Sequence, residues 1–465
     1  MKESMLSTAN LKEFERIVGR ENVLTSPEDL VAFSYDGTSV EHRPEAVVLP
    51  ESTEQVSRVM QICAREKIAV TPRGMGSGLA AAAVPVTGGI SLCLTRMNRV
   101  LNLDTANMIA WVEAGVVTAD LQTQVEALEL FYPPDPSSIK HSTIGGNVAC
   151  NAGGPRCLKY GVTGDYVMGL TVVLADGRVI HTGGKVIKNV TAYDLNSLFI
   201  GSEGTLGVVT QVLLKLIPKP KFARTAMAVY PKLESASATV NAVLLAGILP
   251  ATMELMDDTT IGTLEEYLHL GLPTDAAAIL IIEADGGDEA TIAQEIETIA
   301  QVCRASGASD VRVAATETER NDLWRGRRSV SPSLARRRPN KLGEDISVPR
   351  AAIPDAIRRI KSVSQEYNLP IAVFGHAGDG NLHPNILYDK RDADETRRVE
   401  QASQAIFRIA VELGGTLSGE HGVGVLKLPY LEMAVEPVAI ELMRGLKRVL
   451  DPQGILNPGK KFPTA

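Results

Sequence analysis

Pro72-Arg-Gly-Met-Gly-Ser-Gly78 directly follows a short apolar strand, Ile68–Val70. Consecutive backbone N–H groups with no side chains in the way form a concave nest that suits a phosphate or pyrophosphate. A second loop of this kind is Thr143-Ile-Gly-Gly-Asn-Val-Ala-Cys-Asn-Ala-Gly-Gly154, and a third, Gly201-Ser-Glu-Gly-Thr-Leu-Gly207, runs straight into a strand. Thr182-Gly-Gly-Lys185 reads as a plain turn. None of the loops has the G-x-x-x-x-G-K-[ST] pattern. None places G-x-G-x-x-G between a strand and a helix of one βαβ unit, so a nicotinamide site is poorly supported. Three nests within one domain imply a long ligand, such as a dinucleotide, lying across several loops.

Outward from these loops the first half alternates helix and strand signals. Ser52-Thr-Glu-Gln55 is a capping box opening a helix with Val56, Val59, Met60 and Cys63 at helical spacing. Ala110–Glu113 reads as a strand, and Thr118 as the cap of a helix carrying Leu121, Val125 and Leu128. Gly169–Leu174 and Val179–Thr182 form a hairpin about Asp176-Gly177. Gly207–Ile217 is a long strand ending at Pro218-Lys-Pro220, the best domain boundary in the chain. Beyond it, strands (Thr225–Tyr230, Ala276–Glu283, Ile371–Gly375) alternate with long helices (Leu233–Ala246, Glu289–Ala305, Asp394–Leu413), giving a second α+β domain. A last helix is expected over Val438–Leu450.

The chemistry-bearing residues lie late in the chain. His376-Ala-Gly-Asp-Gly-Asn-Leu-His383 and Glu420-His421 hold three of the seven histidines. Val373–His376 and Leu382–Ile386 read as two strands of a tight hairpin, which puts His383 and Asn385 on one face. His376 can reach that face from the opposite strand. Two neutral imidazoles and a carboxylate suit a borderline divalent cation with open coordination positions. Of adjacent Glu420 and His421, one would be a ligand and the other a free base. The competing reading is that these histidines cap turns and pair locally.

Bulk composition bounds the rest. A chain of 465 residues should hold two or three domains, and 45% hydrophobic with 22% charged residues is ordinary for a globular protein. A net charge of −8 argues against nucleic-acid binding. No apolar run reaches the ~20 residues of a membrane helix; Ala276–Ile282, bounded by Asp275 and Glu283, reads as a buried strand. Met1-Lys-Glu-Ser-Met-Leu6 lacks the apolar core of a signal peptide. Five scattered cysteines with no C-x-x-C pair are expected as reduced thiols in a cytoplasmic protein, without an internal iron–sulfur cluster. Arg325 to Lys341 holds seven cations and no acid, either a solvated flexible loop or a docking surface for an acidic electron-transfer partner.

Taken together, Pro72–Leu79, Ile144–Gly154, Thr191-Ala-Tyr-Asp194 and Gly201–Gly207 resemble the FAD-binding domain of the vanillyl-alcohol-oxidase type. Gly375–His383, Ser418-Gly-Glu-His-Gly-Val-Gly424 and Gly454-Ile-Leu-Asn-Pro458 resemble the FAD-linked D-2-hydroxyacid dehydrogenase branch, the glycolate oxidase and D-lactate dehydrogenase type. The resemblance runs from about residue 20 to 462, with the motifs in the same order. It departs at Ala80–Ala83, where the family has glycine steps, and at Ala192, where it has Thr-Gly-Tyr-Asp. The implied fold class is α+β: a two-subdomain FAD-binding domain (1–220), an α+β substrate or cap domain (221–415), and a C-terminal segment (416–465) returning to the FAD site.

The resemblance also implies site residues. Arg73, Gly74, Met75, Gly76, Ser77, Gly78 and Leu79 would hold the FAD pyrophosphate. Pro134, Asp135, Thr143, Gly145, Gly146, Asn147, Asn151, Gly153, Gly154, Glu203, Gly204, Gly207, Val208, Val209 and Asn457 would line the rest of the cofactor. His376, His383 and Glu420 match the divalent metal ligands (zinc, iron or manganese), His421 the general base, Asn385 a substrate contact and Arg327 the substrate-carboxylate arginine. A planar guanidinium suits that last task because it holds a carboxylate bidentately. No histidine occurs between Pro72 and Gly78, where covalent members carry their flavin link, so FAD is expected to be non-covalent. The expected reaction is oxidation of D-lactate or glycolate to the 2-oxo acid, with electrons passing to an iron–sulfur subunit or an electron-transfer flavoprotein. The alternatives are a D-2-hydroxyglutarate-type enzyme, an oxidase using oxygen directly, and a non-catalytic flavin electron-relay subunit.

Overall fold

The structure, a computed structural model, describes residues 6–462. Met1–Met5, which make up most of the stretch read above for a signal peptide, lie outside the described residues. The chain divides into two compact units. The first runs to Gly153, resumes over Val162–Lys219 and ends with the segment from Glu420; the second joins Gly154–Gly161 to Pro220–Gly419.

In the first unit a four-stranded sheet has the order Val23–Leu24, Ala46–Val48, Ile90–Cys93, Val70–Arg73. Its last three strands are parallel. The helix Thr53–Glu66 returns the chain to it, opened by Ser52, whose hydroxyl accepts from Gln55 N–H, while Gln55 Oε1 accepts from Glu51 N–H. Val56, Val59, Met60 and Cys63 of this helix enter the core with Val48, Val70, Ile90 and Leu92. The strand after the helix starts at Val70, not Ile68: Ile68 N–H still bonds back to Cys63 C=O, and parallel pairing to Ile90 begins only at Val70. The C-terminal segment joins the same edge, where Val70 N–H donates to Ile455 C=O and Asn457 N–H to Val70 C=O. A second, five-stranded antiparallel sheet has the order Val100–Asp104, Ile109–Glu113, Val208–Lys215, Val167–Val173, Val179–Gly183. Thr118 turns out to be the first helical residue of Thr118–Glu126 rather than its cap, because its hydroxyl is spent on Ser142. Leu128 lies past the helix end and is exposed.

The second unit is built on an antiparallel sheet in the order Asp310–Val313, Phe222–Tyr230, Ala278–Gly286, Thr252–Asp257, Ile371–His376, Asn381–Tyr388, Asn340–Gly343. Met227, Val229, Met256, Ile279, Ile281 and Phe374 pack with Ile261 and Leu264 of helix Asp258–Leu268, Trp324 of helix Glu317–Arg328, and Val330 and Leu334 of helix Val330–Arg337. Helices Leu233–Leu245, Glu289–Ala305, Ile353–Glu366 and Ala393–Glu412 also pack on this sheet or on one another. Strands covered on both faces read as continuous apolar runs, and every residue of Thr252–Asp257 and Ile371–His376 is buried.

The cationic stretch from Arg325 is therefore no flexible loop. It forms the end of one helix, a second helix and the start of a strand. Its helical character escaped periodicity because helix Glu317–Arg328 is pinned largely by charge: Arg320 pairs with buried Glu283, Trp324 Nε1–H donates to the same carboxylate, and Arg327 pairs with buried Glu254. Among the described residues no helix is long and apolar enough to cross a membrane.

Candidate active site

The glycine loops meet in the first unit around a cleft of about 1230 Å³, a volume that includes open solvent at its mouth. All seven residues Arg73–Leu79 line it, as do Thr143, Gly145, Gly146, Asn147, Glu203, Gly204, Gly207, Val208 and Val209. Glu420 and His421 lie on its wall. Pro134, Asp135, Asn151, Gly153, Gly154 and Asn457 do not line it; Pro136, Ser137, Ser138, Cys150 and Ala152 take those places. Asn151 is a helix C-cap whose Oδ1 accepts from Gly164 N–H, and Gly154 belongs to the second unit.

Arg73 supports its loop from behind. The buried guanidinium donates Nη1 to the Phe33 and Tyr35 carbonyls at 3.0 and 3.2 Å, and burial holds its pKa below the usual arginine range. The loop wraps closely enough that a Cβ on Gly76, at φ +73, would stand 2.1 Å from Nη2. Arg73 thus shapes the nest and gives it positive potential, while its hydrogen bonds go to protein carbonyls.

Glu203 organises the facing loop. Its buried carboxylate accepts from Val423 and Gly424 N–H, both at 2.8 Å, and from Lys461 Nζ at 3.3 Å. Gly424, at φ +49, lies so close to Ala80 C=O that a Cβ would come within 1.8 Å. Asn457 Nδ2 donates to Ala82 and Glu203 carbonyls, and Lys460 Nζ donates to Asn457 Oδ1. Burial, opposed by Asp36 and Glu203, lowers the Lys460 ammonium to about 7. Asn457 and Lys460 therefore tie the C-terminal segment to the loops. Lys460, Lys461 and Asp36 had no motif to reveal them, since only folding brings them to Glu203 and Arg73.

The cleft fits a flavin dinucleotide on its own chemistry. A Cβ at Gly78 would meet only Asp36, at 4.0 Å, and one at Gly146 only Thr143 Oγ1, at 3.2 Å. Protein packing does little to demand glycine there, so the space serves what enters the cleft. Met75 and Leu79 leave apolar surface exposed at its edge.

In the second unit the hairpin pairs Phe374 with His383 and His376 with Asn381, so both histidines, Asn381 and Asn385 share a face. The two Nε2 atoms are 3.4 Å apart and the rings meet edge-on, with centroids at 5.1 Å. His376 Nδ1 lies 2.5 Å from Glu254 Oε1, and the other oxygen of Glu254 accepts from Arg327 Nε at 2.6 Å. Behind His383, Asp345 Oδ1 stands 3.8 Å from Nδ1 and accepts from Asn381 at 2.6 Å, while Asp345 Oδ2 accepts from Ser418. Burial alone would raise the Glu254 carboxyl, but His376 and Arg327 hold it down at about 2. Arg327 also stacks on Phe374. Asn385 spends Nδ2 on His383 C=O and sets Oδ1 against Gly343.

This pair fits a cation. Two imidazoles ligating at about 2.0–2.1 Å in tetrahedral geometry sit roughly 3.3–3.4 Å apart. Each presents Nε2 to its neighbour; His376 has a carboxylate within hydrogen-bond reach of Nδ1, the usual surroundings of a metal-bound histidine, and His383 has Asp345 on its Nδ1 side at 3.8 Å. Glu254 and Asp345 escaped sequence reading. The only trace was an acid inside each of two short segments that fold as buried backbone.

Comparison with known proteins agrees with the cleft. A model described as FAD binding domain matches residues 44–183, and one described as FAD linked oxidases, C-terminal domain, matches residues 219–461. Glycolate oxidase subunit GlcD of Bacillus subtilis (strain 168) is 46% identical over 98% of this chain and 97% of that protein. D-lactate dehydrogenase of Anaerostipes hadrus is 37% identical over 97% and 96%. The crystal structure of p-cresol methylhydroxylase with substrate bound has the same fold, with a TM-score of 0.82 at 20% identity over 97% of this chain and 96% of that one. With its two units, the molecule is an FAD-dependent oxidoreductase with the vanillyl-alcohol-oxidase type of fold, carrying an α+β second domain. The chain belongs to the FAD-linked oxidase family, in its D-2-hydroxyacid dehydrogenase branch.

Proposed function

We propose that this chain oxidises a small D-2-hydroxy acid, D-lactate or glycolate, to the 2-oxo acid with non-covalent FAD and a divalent cation (zinc, iron or manganese). The observation that carries this reading is the His376–His383 pair, with Nε2 atoms 3.4 Å apart and carboxylates behind. His376, His383 and Glu420 would hold the cation. When bound, FAD accepts the hydride from the substrate carbon and the cation lowers the pKa of the substrate hydroxyl. His421, on the wall of the cleft, takes the hydroxyl proton on a ring nitrogen. Arg327, its Nε committed to Glu254, keeps its terminal nitrogens for the substrate carboxylate and fixes which face of the acid is presented. Asn385 Oδ1 is the remaining substrate contact. Non-covalent attachment is supported by Cys150, the cleft thiol, which burial pushes up to about 12, leaving it a poor nucleophile.

The test is an anaerobic visible spectrum before and after substrate. Flavin bands should bleach with D-lactate or glycolate, not with L-lactate, and not after chelation until the metal is restored. A protein that stays oxidised with every hydroxy acid, metal present, would turn the reading to an electron-relay subunit.

The electrons leave, in this reading, for an iron–sulfur subunit or an electron-transfer flavoprotein. The relative named as a subunit supports a multi-protein assembly. Arg325, Arg328 and Arg336 are exposed on the second unit's helices and suit an acidic partner. Reversing all three to Glu should slow reduction of that partner at least tenfold at low salt, with flavin reduction by substrate unchanged; equal rates would remove the docking role.

A further inference from the structure

Two buried carboxylates on one sheet face hold helix Glu317–Arg328, and they differ in a telling way. Glu283 gives both oxygens to local anchoring: it accepts from Arg320 Nε and Nη2, Trp324 Nε1 and Thr225 Oγ1. Glu254, on the adjacent strand, pairs with the same helix through only one oxygen, at Arg327 Nε. Its other oxygen faces His376 Nδ1. Nothing about holding the helix requires that second bond.

We infer that Glu254 is a positioning residue that sets both halves of the substrate site at once, orienting His376 as a metal ligand and Arg327 as the carboxylate clamp. This rests on the roles proposed above for those two residues. Glu254 Oε1 stands 2.5 Å from Nδ1 as an acceptor, so a neutral His376 places its one proton on Nδ1. Nε2 then carries the lone pair, and it is Nε2 that faces His383. In the same way Oε2 occupies the Nε–H of Arg327, which leaves the terminal fork of the guanidinium for a planar anion. Phe374, beneath both Arg327 and His383, holds the stack in register. One buried anion thus balances the cationic arginine beside the cation site.

Glutamine cannot replace it. The amide has one acceptor and one donor end, so it can satisfy His376 or Arg327 but not both. Facing its nitrogen to His376 moves the imidazole proton to Nε2 and blocks ligation. Facing it to Arg327 sets donor against donor.

The experiment compares Glu254→Gln with Glu283→Gln, which alters an anchor of the same helix, using the full-length, FAD-loaded protein. Zn²⁺ affinity is measured by competition with a chelator, apart from turnover, alongside FAD content, melting temperature, and KM and kcat for D-lactate or glycolate. E254Q should weaken Zn²⁺ binding 10–100-fold and raise KM roughly tenfold, the effect of one lost charge-assisted bond. E283Q should leave Zn²⁺ affinity within about twofold while lowering the melting temperature. Glu254→Asp, which keeps the charge and retracts it by one methylene, should move Zn²⁺ affinity in the same direction by a smaller factor, and it decides the matter if E254Q does not fold. Wild-type Zn²⁺ affinity and KM in the Glu254 variants, or equal loosening by E283Q, overturns the positioning role. Failure of the underlying reading looks different: the wild-type protein itself would bind no divalent cation, or would be reduced by no hydroxy acid.

Discussion

His421→Ala should retain FAD and the wild-type affinity for the proposed divalent cation yet reduce its flavin with substrate 10²–10⁴-fold more slowly, the usual contribution of a positioned general base. His421 stands on the wall of the glycine-lined cleft beside Glu420. Deleting an imidazole there removes a proton acceptor while leaving the glycine nests and the proposed ligands His376, His383 and Glu420 in the chain, so the cofactor spectrum and cation affinity should stay near wild type. Anaerobic stopped-flow at saturating substrate isolates the step, because the oxidised flavin band reports reduction before electrons leave. A loss expressed in the reduction rate, with substrate affinity nearly intact, identifies a group that acts in the transition state. A variant reduced as fast as wild type would remove His421 from proton transfer and shift that role to another residue or to solvent.

Glu203→Ala should be the most disruptive single change in the first unit. The carboxylate is fully enclosed and carries two backbone N–H groups of the 422–424 loop together with Lys461. Truncation leaves the Val423 and Gly424 amides without their acceptor, at about 1–3 kcal/mol for a buried group, and the part-exposed Lys461 ammonium without its anion. The loop it releases follows directly on Glu420 and His421. Loss of FAD on gel filtration, a lowered melting temperature and loss of substrate-dependent bleaching should appear together. Glu203→Gln keeps one acceptor and should fall between wild type and Ala in melting temperature. A Glu203→Ala protein with wild-type stability and a full flavin complement would show that the loop holds itself in place.

Much of this site could be read along the chain because its key elements are local. The hairpin of Ile371–His376 and Asn381–Tyr388 needs only a four-residue turn, so period-two alternation fixes that His376, His383 and Asn385 share a face. Glycine nests are equally local, since their backbone conformation is set by the glycines themselves. Helix Glu289–Ala305 could be read to the residue from its apolar spacing.

Other features depend on how distant segments pack. That Glu254 backs His376, 122 positions away, follows from strand Thr252–Asp257 lying next to Ile371–His376, and no local signal encodes the order of strands in a sheet. The choice of Arg327 as its second partner depends on how a charge-pinned helix crosses that sheet, for which hydrophobic periodicity has no counterpart. Arg73 lines the cleft as the loop reading expects, but that its guanidinium props its own loop was decided by folding, which brings the Phe33 and Tyr35 carbonyls within reach. Local pattern was enough to place the short stretches that present the candidate residues, the hairpin and the glycine loops. Folding determined which buried charge answers which, because desolvation makes an unpartnered charge prohibitive while leaving its partner free to come from anywhere in the chain.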